Sequence, residues 1–77
     1  MKIVIANVHY SPTDETYYVL NSLYEKADNY QADTLEHAIN MLSRDGWTLC
    51  GKVQRSDCVN VTAMQNNKDE MIALWQE

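Results

Sequence analysis

Residues 39–49 read INMLSRDGWTL and decide the fold class, because they join a helical pattern directly to a strand pattern. Before Gly46, apolar side chains recur every three or four positions, which places them on one helical face. These side chains are Leu35, Ala38, Ile39 and Leu42. Asp33 or Thr34 is the predicted N-cap, and Arg44 suits the negative end of the helix dipole. Gly46 is the predicted stop, since glycine enters the left-handed conformation without steric cost.

From Trp47 onward the pattern has a period of two, which predicts a strand. Residues 55–57 predict a tight turn, with Gln54 paired with Cys58 across it. The resulting register pairs Val53 with Val59, Gly51 with Val61 and Leu49 with Ala63. Such a hairpin has one apolar face and one solvated face, which supports the register independently of the turn.

The same residues 39–49 resemble the LNELGxEGWEL signature of the small DUF4177-like domains. Ser43 stands where that family often has glycine, and residues 11–30 have no counterpart in the resemblance. The resemblance implies a helix packed on a sheet, and it implies no activity, cofactor or partner.

The first third of the chain predicts a strand followed by a helix. Residues 2–10, KIVIANVHY, have apolar side chains on both faces, which is typical of a central strand covered twice or of one that meets another chain. Ser11, Pro12 and Asp14 then match a helix start, and a helical face follows. That face contains Tyr17, Leu20, Leu23, Tyr24 and Ala27. A hairpin strand over residues 16–20 is the competing interpretation, since these residues are strong strand formers.

The last third predicts a short helix. Asn66 or Asn67 is the predicted cap, and Glu70 takes the capping-box position. Met71, Leu74 and Trp75 form a short apolar stripe after it. The sequence therefore predicts one α+β domain over residues 1–77. Its small antiparallel sheet has helices mainly on one face, in the order β-α-α-β-β-α, with β-β-α-β-β-α as the alternative.

Bulk composition limits the partners of this domain. The net charge is −5, from 11 acidic and 6 basic residues, and this argues against nucleic-acid binding, which needs a basic surface. No apolar run approaches a membrane span, so we expect a cytoplasmic protein without a membrane partner. A chain of 77 residues buries only about 60% of its unfolded surface, which favours self-association or a protein partner.

The sequence contains no catalytic or cofactor motif. Cys50 and Cys58 lack the CxxC spacing, and they are predicted to be free thiols. Together with His9 and His37 they lack the compact ligand pairs that are typical of structural zinc. The two glycines are too few for a phosphate-binding loop. We therefore expect no enzyme, no metal and no cofactor.

The aromatic residues favour a recognition surface. The chain has five Tyr and two Trp but no Phe, so every aromatic side chain has a polar group for hydrogen bonding. Exposed tyrosines also occur singly without a role, and the sequence leaves both interpretations open. The candidate interface residues are Tyr10, Tyr18, Tyr30, Met71 and Trp75.

These features predict a non-enzymatic protein-interaction module that binds another protein or forms a homodimer. The small size and the acidic charge suit a virus- or mobile-element-encoded inhibitor of a larger host protein, acting in the host cytoplasm. The alternative is a small-molecule or nucleotide-binding protein that uses the solvated sheet face. For that alternative the candidate ligand-binding residues are Cys50, Lys52, Asn60 and Thr62.

Overall fold

The computed structural model describes residues 3–20, 26–27 and 30–77. Its elements are β1 (Ile3–Asn7), β2 (His9–Ser11), β3 (Thr16–Val19), α1 (Leu35–Arg44), β4 (Thr48–Arg55), β5 (Asn60–Gln65) and β6 (Met71–Gln76). The strands form one six-stranded sheet in the order β1-β6-β5-β4-β3-β2. Neighbouring strands are antiparallel except β3 and β4, which are parallel.

The sheet curls into a half-barrel because a single residue, Val8, joins its two end strands. In a flat sheet of six strands the end strands would lie about 24 Å apart, at ~4.8 Å per neighbour. The Cα atoms of Asn7 and His9 are at most about 7 Å apart, since only one residue separates them. The Val8 N–H still donates to the Met71 carbonyl at 3.2 Å, so the chain leaves β6 only at this residue.

The predicted α+β fold with helices packed mainly on one face is wrong. The structure is mostly β, with 48% strand and 15% helix, and neither β-α-α-β-β-α nor β-β-α-β-β-α describes its order. Two predicted helices account for the error, one after residue 11 and one after residue 67.

The first predicted helix is the β2–β3 hairpin over its described part. Ser11 pairs with Thr16, and Glu15 closes the intervening turn with a left-handed φ of 53°. Pro12 and Asp14 suit a turn as well as a helix start, so these residues do not discriminate between the two. Tyr10 faces Tyr17 across the hairpin, and such aromatic cross-strand pairs stabilise a sheet. Residues 21–25 of that prediction, and residues 28–29 of the connection predicted after it, lie outside the described residues.

The second predicted helix is strand β6, which lies between β1 and β5. Its residues 72–75 are buried from both faces, as in the centre of a sheet. Asn66 does bond to backbone amides, but in a hairpin turn: its Oδ1 accepts from Lys68 N at 2.9 Å and Glu70 N at 3.0 Å. The same side-chain chemistry that caps a helix therefore closes the β5–β6 turn.

Helix α1 confirms the helix that was predicted to end before Gly46. Thr34 is the N-cap, and its Oγ1 accepts from His37 N at 3.1 Å. The helix ends at Arg44, and Gly46 follows with a φ of 91°. The Trp47 N–H then donates to the Leu42 carbonyl at 3.0 Å, which satisfies one of the last carbonyls of the helix.

The β4–β5 hairpin exists, but its predicted register is wrong by two residues. Gln54 pairs with Asn60 rather than Cys58, and Val53 pairs with Val61. A bulge between Leu49 and Gly51 then interrupts the alternation of side chains. Leu49 consequently is 61% exposed, although the uninterrupted pattern placed it on the apolar face.

Two apolar clusters lie on opposite faces of the sheet. The inner cluster fills the half-barrel and consists of Val4, Ala6, Val19, Val53, Val61, Ala63, Ala73 and Trp75. The outer cluster packs helix α1 against the sheet and consists of Ile5, Ala38, Leu42, Met64, Ile72 and Leu74. Strand β1 is thus buried on both faces as predicted, although it is the end strand and not a central one.

Candidate functional site: a groove between two strands

The β2–β3 hairpin presents three exposed tyrosines. Tyr10, Tyr17 and Tyr18 are 49%, 47% and 37% exposed. Alternation along the strands sends them to both faces of the hairpin, where each face has one aromatic pair. The Tyr10 and Tyr17 ring centroids lie 4.9 Å apart, and those of His9 and Tyr18 lie 5.9 Å apart. These pairs hold the tyrosine rings in position while leaving much of their surface accessible.

A groove of about 570 Å³ opens between β3 and β4, and we call it the tyrosine groove. The two strands pair only where Tyr18 meets Gln54 and Val19 meets Arg55. The Ser56 N–H donates to the Val19 carbonyl at 2.9 Å and closes this end of the groove. Toward the start of both strands the pairing ceases.

The tyrosine groove is lined by residues of four strands and one turn. On β3 it is lined by the consecutive residues Tyr17 and Tyr18, and on β4 by the consecutive residues Val53 and Gln54. Both strands therefore contribute neighbouring residues to the lining of the groove.

The remaining walls come from neighbouring elements. Glu15 contributes from the β2–β3 turn, and Cys50 contributes from the bulge of β4. Asn60 and Gln65 of β5 and Met71 of β6 complete the lining on the far side. Met71 also packs against the inner cluster, so the groove leads from the surface toward the half-barrel core.

The described lining of the tyrosine groove contains one charged side chain. Among the described side chains that line it, Glu15 is the only one that is charged at neutral pH. Burial raises the pKa of the Cys50 thiol, which keeps this group protonated and uncharged. The chain as a whole has a net charge of −5, so its overall field has the same sign as Glu15.

Two of the five predicted interface residues, Tyr18 and Met71, line the tyrosine groove. A third, Tyr10, does not line it but packs against Tyr17, which does. Tyr30 is half-buried elsewhere, where its hydroxyl accepts from Trp47 Nε1 at 3.3 Å. Trp75 is only 5% exposed and belongs to the inner cluster. These last two side chains support the fold of the chain itself.

The residues predicted for the ligand-binding alternative divide in a similar way. Cys50 and Asn60 line the tyrosine groove. Lys52 follows Cys50 by two residues on β4, and its backbone pairs with that of Thr62 on β5. Thr62 is half-buried and also pairs with Leu74, one strand further from the groove. Residues selected for two different functions therefore meet at one place.

Sequence reasoning missed Tyr17, Glu15 and Gln54. The helical interpretation assigned Tyr17 to a buried face, whereas β3 exposes it beside Tyr18. The sequence signal that identifies Tyr17 is the run TYYV at residues 16–19, whose β-branched and aromatic residues favour a strand. A strand at this point makes both neighbouring tyrosines accessible, and a helix does not.

Other sites are not apparent in the described part of the chain. Cys50 and Cys58 are free and exposed. No group of three or more His, Cys, Asp or Glu side chains within residues 3–20, 26–27 and 30–77 lies close enough to hold a metal ion. The one described helix is too short and too polar to cross a membrane.

Comparison with family models, with curated proteins and with solved structures gives no significant match. The resemblance of residues 39–49 to DUF4177-like domains stays a prediction. Function must therefore be argued from the tyrosine groove itself.

Proposed function

We propose that this protein is a non-enzymatic protein-interaction module that binds a partner protein through the tyrosine groove. The observation that carries the proposal is the placement of two exposed tyrosines, Tyr17 and Tyr18, on the wall of an open groove. Tyrosine suits recognition because its ring buries a large area on binding while its hydroxyl keeps a hydrogen bond.

The aromatic packing on the hairpin supports the proposal. Tyr10 packs against Tyr17 and His9 against Tyr18, so both groove tyrosines are partly ordered before a partner arrives. Ordering long side chains on binding costs free energy, and this cost is smaller when the rings are already packed. The hairpin therefore provides a preorganised contact surface at the edge of the groove.

A small-molecule ligand is the second candidate, since Cys50 and Asn60 line the same groove and its volume lies within the range of ligand pockets. Such pockets are usually concave, and they bury most of the ligand surface. Here most of the lining residues are exposed, and Val53 is the buried one. This openness favours a protein partner over a small ligand.

A cytoplasmic location, and a role as an inhibitor encoded by a virus or mobile element, complete the proposal. They rest on the small size and acidic charge of the chain. A second copy of this chain, bound through the same groove, is the other partner that the proposal includes.

Native mass spectrometry of protein purified gently from its own source tests the proposal. Wild type should carry an added polypeptide, and the double substitution Tyr17→Thr with Tyr18→Thr should lose it, because threonine keeps the strand propensity while removing both rings. Leu49→Thr is the matched control, since Leu49 is exposed on β4 but does not line the groove.

The control should retain the partner. Retention by the double variant as well would refute the proposal, and an added mass of a few hundred daltons lost in that variant would establish the small-molecule alternative. A second copy of the chain lost in that variant would identify the partner as the protein itself.

A further inference from the structure

We propose that the partner presents a proline-rich segment in the polyproline II conformation, which lies across strands β3, β4 and β5 at the tyrosine groove. This inference rests on the proposed function and specifies its partner. It follows from a row of three side chains on one face of the sheet, from the spacing of that row, and from its hydrogen-bonding groups and lack of charge.

Three residues of the groove lining form a row across neighbouring strands. Gln54 of β4 pairs with Tyr18 of β3 on one side and with Asn60 of β5 on the other. Paired residues of neighbouring strands point to the same face of a sheet. The adjacent residues Val53 and Val61 belong to the inner cluster, so the row lies on the opposite, outer face. We call these three side chains the outer row.

Helix α1 packs on a different part of the outer face. The outer cluster beneath it takes its buried sheet residues from β1, β5 and β6, and these residues are Ile5, Met64, Ile72 and Leu74. No described residue of β2, β3 or β4 belongs to that cluster. All three side chains of the outer row are exposed. This part of the sheet face is therefore accessible to a partner.

The spacing of the outer row matches the repeat of a polyproline II helix. Neighbouring strands lie ~4.8 Å apart, so Tyr18 and Asn60 are about 9.6 Å apart across the sheet. A polyproline II helix has three residues per turn and rises ~3.1 Å per residue, so one side recurs about every 9.3 Å. A segment that crosses the strands therefore presents residues i and i+3 to Tyr18 and Asn60. A proline at position i packs against the tyrosine ring, as in other aromatic-lined sites for such segments.

The hydrogen-bonding groups of the row suit the same segment. A polyproline II helix has no internal hydrogen bonds, so its carbonyl groups can accept from the side-chain amides of Gln54 and Asn60. Proline has no N–H, so the segment brings few donors that need a partner. A partner strand would instead need a free sheet edge, and β3, β4 and β5 are hydrogen-bonded neighbours here.

Charge separates this segment from other occupants. Phosphopeptides and nucleic acids require basic side chains, and the described lining of the groove has none. An uncharged segment is not repelled by the net charge of −5. A second copy of the chain cannot supply two prolines three residues apart, because Pro12 is its single proline. The segment therefore belongs to another protein.

The test uses the full chain and capped peptides of about nine residues, or three turns of the helix. All have an uncharged background of Ala and Ser. The first has two prolines three residues apart, the second has them four apart, and the third has none. Titration followed by backbone amide shifts should show the first binding about tenfold more tightly than the third, since it is better ordered before binding. It should bind about threefold more tightly than the second, whose prolines cannot both face the row.

Variants locate the contact. Tyr18→Thr should weaken the first peptide about fivefold through loss of the ring, whereas Tyr18→Phe keeps the ring and should bind within about twofold of wild type. Gln54→Met keeps the size of the side chain and should weaken the peptide about threefold, as expected for one lost neutral hydrogen bond. Leu49→Thr is the matched control and should bind like wild type, since Leu49 is exposed on β4 but does not line the groove.

Equal binding of the three peptides, or binding by Tyr18→Thr that equals wild type, would overturn the inference. Preferential binding of a neutral glucose hexamer that Tyr18→Thr abolishes would overturn it as well, and would assign the outer row to a carbohydrate. If the peptides fail while Tyr17→Thr with Tyr18→Thr still abolishes capture of a protein partner, the proposed function stands and only the class of segment is wrong. If that double variant keeps its partner, the proposed function fails together with the inference.

Discussion

At the residue scale, one ion pair connects the β4–β5 turn to the half-barrel core. Arg55 binds Asp57 through two contacts, Nε to Oδ1 at 2.8 Å and Nη2 to Oδ2 at 2.5 Å. The guanidinium also lies 5.6 Å from the centroid of the Trp75 ring, which suits a cation–π contact. Asp57 therefore orients Arg55 over the inner cluster at the closed end of the tyrosine groove.

This pair gives the stability of the protein a specific pH dependence. The hydrogen bond from Arg55 lowers the pKa of Asp57 from 3.8 to about 2. A carboxyl group whose pKa is lower in the folded state stabilises the fold above its unfolded pKa, and this contribution disappears as the pH falls through the folded pKa. Urea denaturation should show wild type more stable than Asp57→Asn above pH ~4, with the difference vanishing toward pH ~2.

Asp14→Asn is the control, because it removes the same charge from an exposed turn residue outside the Arg55–Asp57 pair. A wild-type advantage over Asp57→Asn that is constant from pH ~7 to ~2 would contradict the assignment to the Arg55–Asp57 pair.

At the scale of the elements, three turns of the sheet end on a left-handed residue other than glycine. Glu15, Cys58 and Asp69 have φ values of 53°, 69° and 63°. Glycine is the usual residue in this conformation, and its absence removed the clearest sequence signal for these hairpins. The turns form nevertheless because tertiary pairing of the flanking strands outweighs a local cost of about 1–2 kcal/mol per residue.

Cys58 offers the most direct test of that local cost. Cys58→Gly should raise the free energy of unfolding by about 0.5–1 kcal/mol, since relief of the strain exceeds the entropy that glycine adds to the unfolded chain. Urea denaturation measures the change. Cys58→Ser removes the thiol but keeps a Cβ atom, so it should leave stability nearly unchanged. If the serine and glycine variants are equally stable, strain at this residue is not significant.

Two elements were predicted as helices for the same physical reason. Ser11 to Asp14 and Asn66 to Glu70 place short polar side chains where either a helix cap or a β-turn can use them. The following apolar residues, including Val19 and Ile72, are too few to reveal a period. Helix α1 was predicted correctly because its period, its capping residues Asp33 and Thr34 and its Gly46 stop agree with one another.

At the scale of the whole molecule, the two apolar clusters share their strands. Strand β6 contributes Ala73 and Trp75 to the inner cluster, and Ile72 and Leu74 to the outer cluster. Strands β1 and β5 likewise contribute to both. Neither cluster can lose its strands without disrupting the other, so the described part of the chain should unfold as one cooperative unit.

The two tryptophans report on this cooperativity. Trp47 packs against the outer cluster, and Trp75 lies in the inner one. In Trp47→Phe and in Trp75→Phe, the remaining tryptophan fluorescence should follow the same urea transition as the far-ultraviolet circular dichroism of that variant. Separate transitions in either variant would show that one cluster melts before the other.

The sequence alone determined the features that depend on neighbouring residues. It defined helix α1 with a cap at Asp33 or Thr34 and a stop at Gly46, the presence of the β4–β5 hairpin, the burial of β1 on both faces and the acidic charge. It also identified Tyr18 and Met71 as candidates, because residue chemistry is local.

Only the tertiary structure decided the features that depend on distant partners. Strand β6 exists because β1 and β5 flank it, and the sheet curls because Val8 joins strands at its two ends. The tyrosine groove depends on the pairing of β3 with β4, which brings Tyr17 and Cys50 into one lining although they are 33 positions apart in the chain (50 minus 17). Short apolar runs fit helix and strand alike, and long-range burial selects between them.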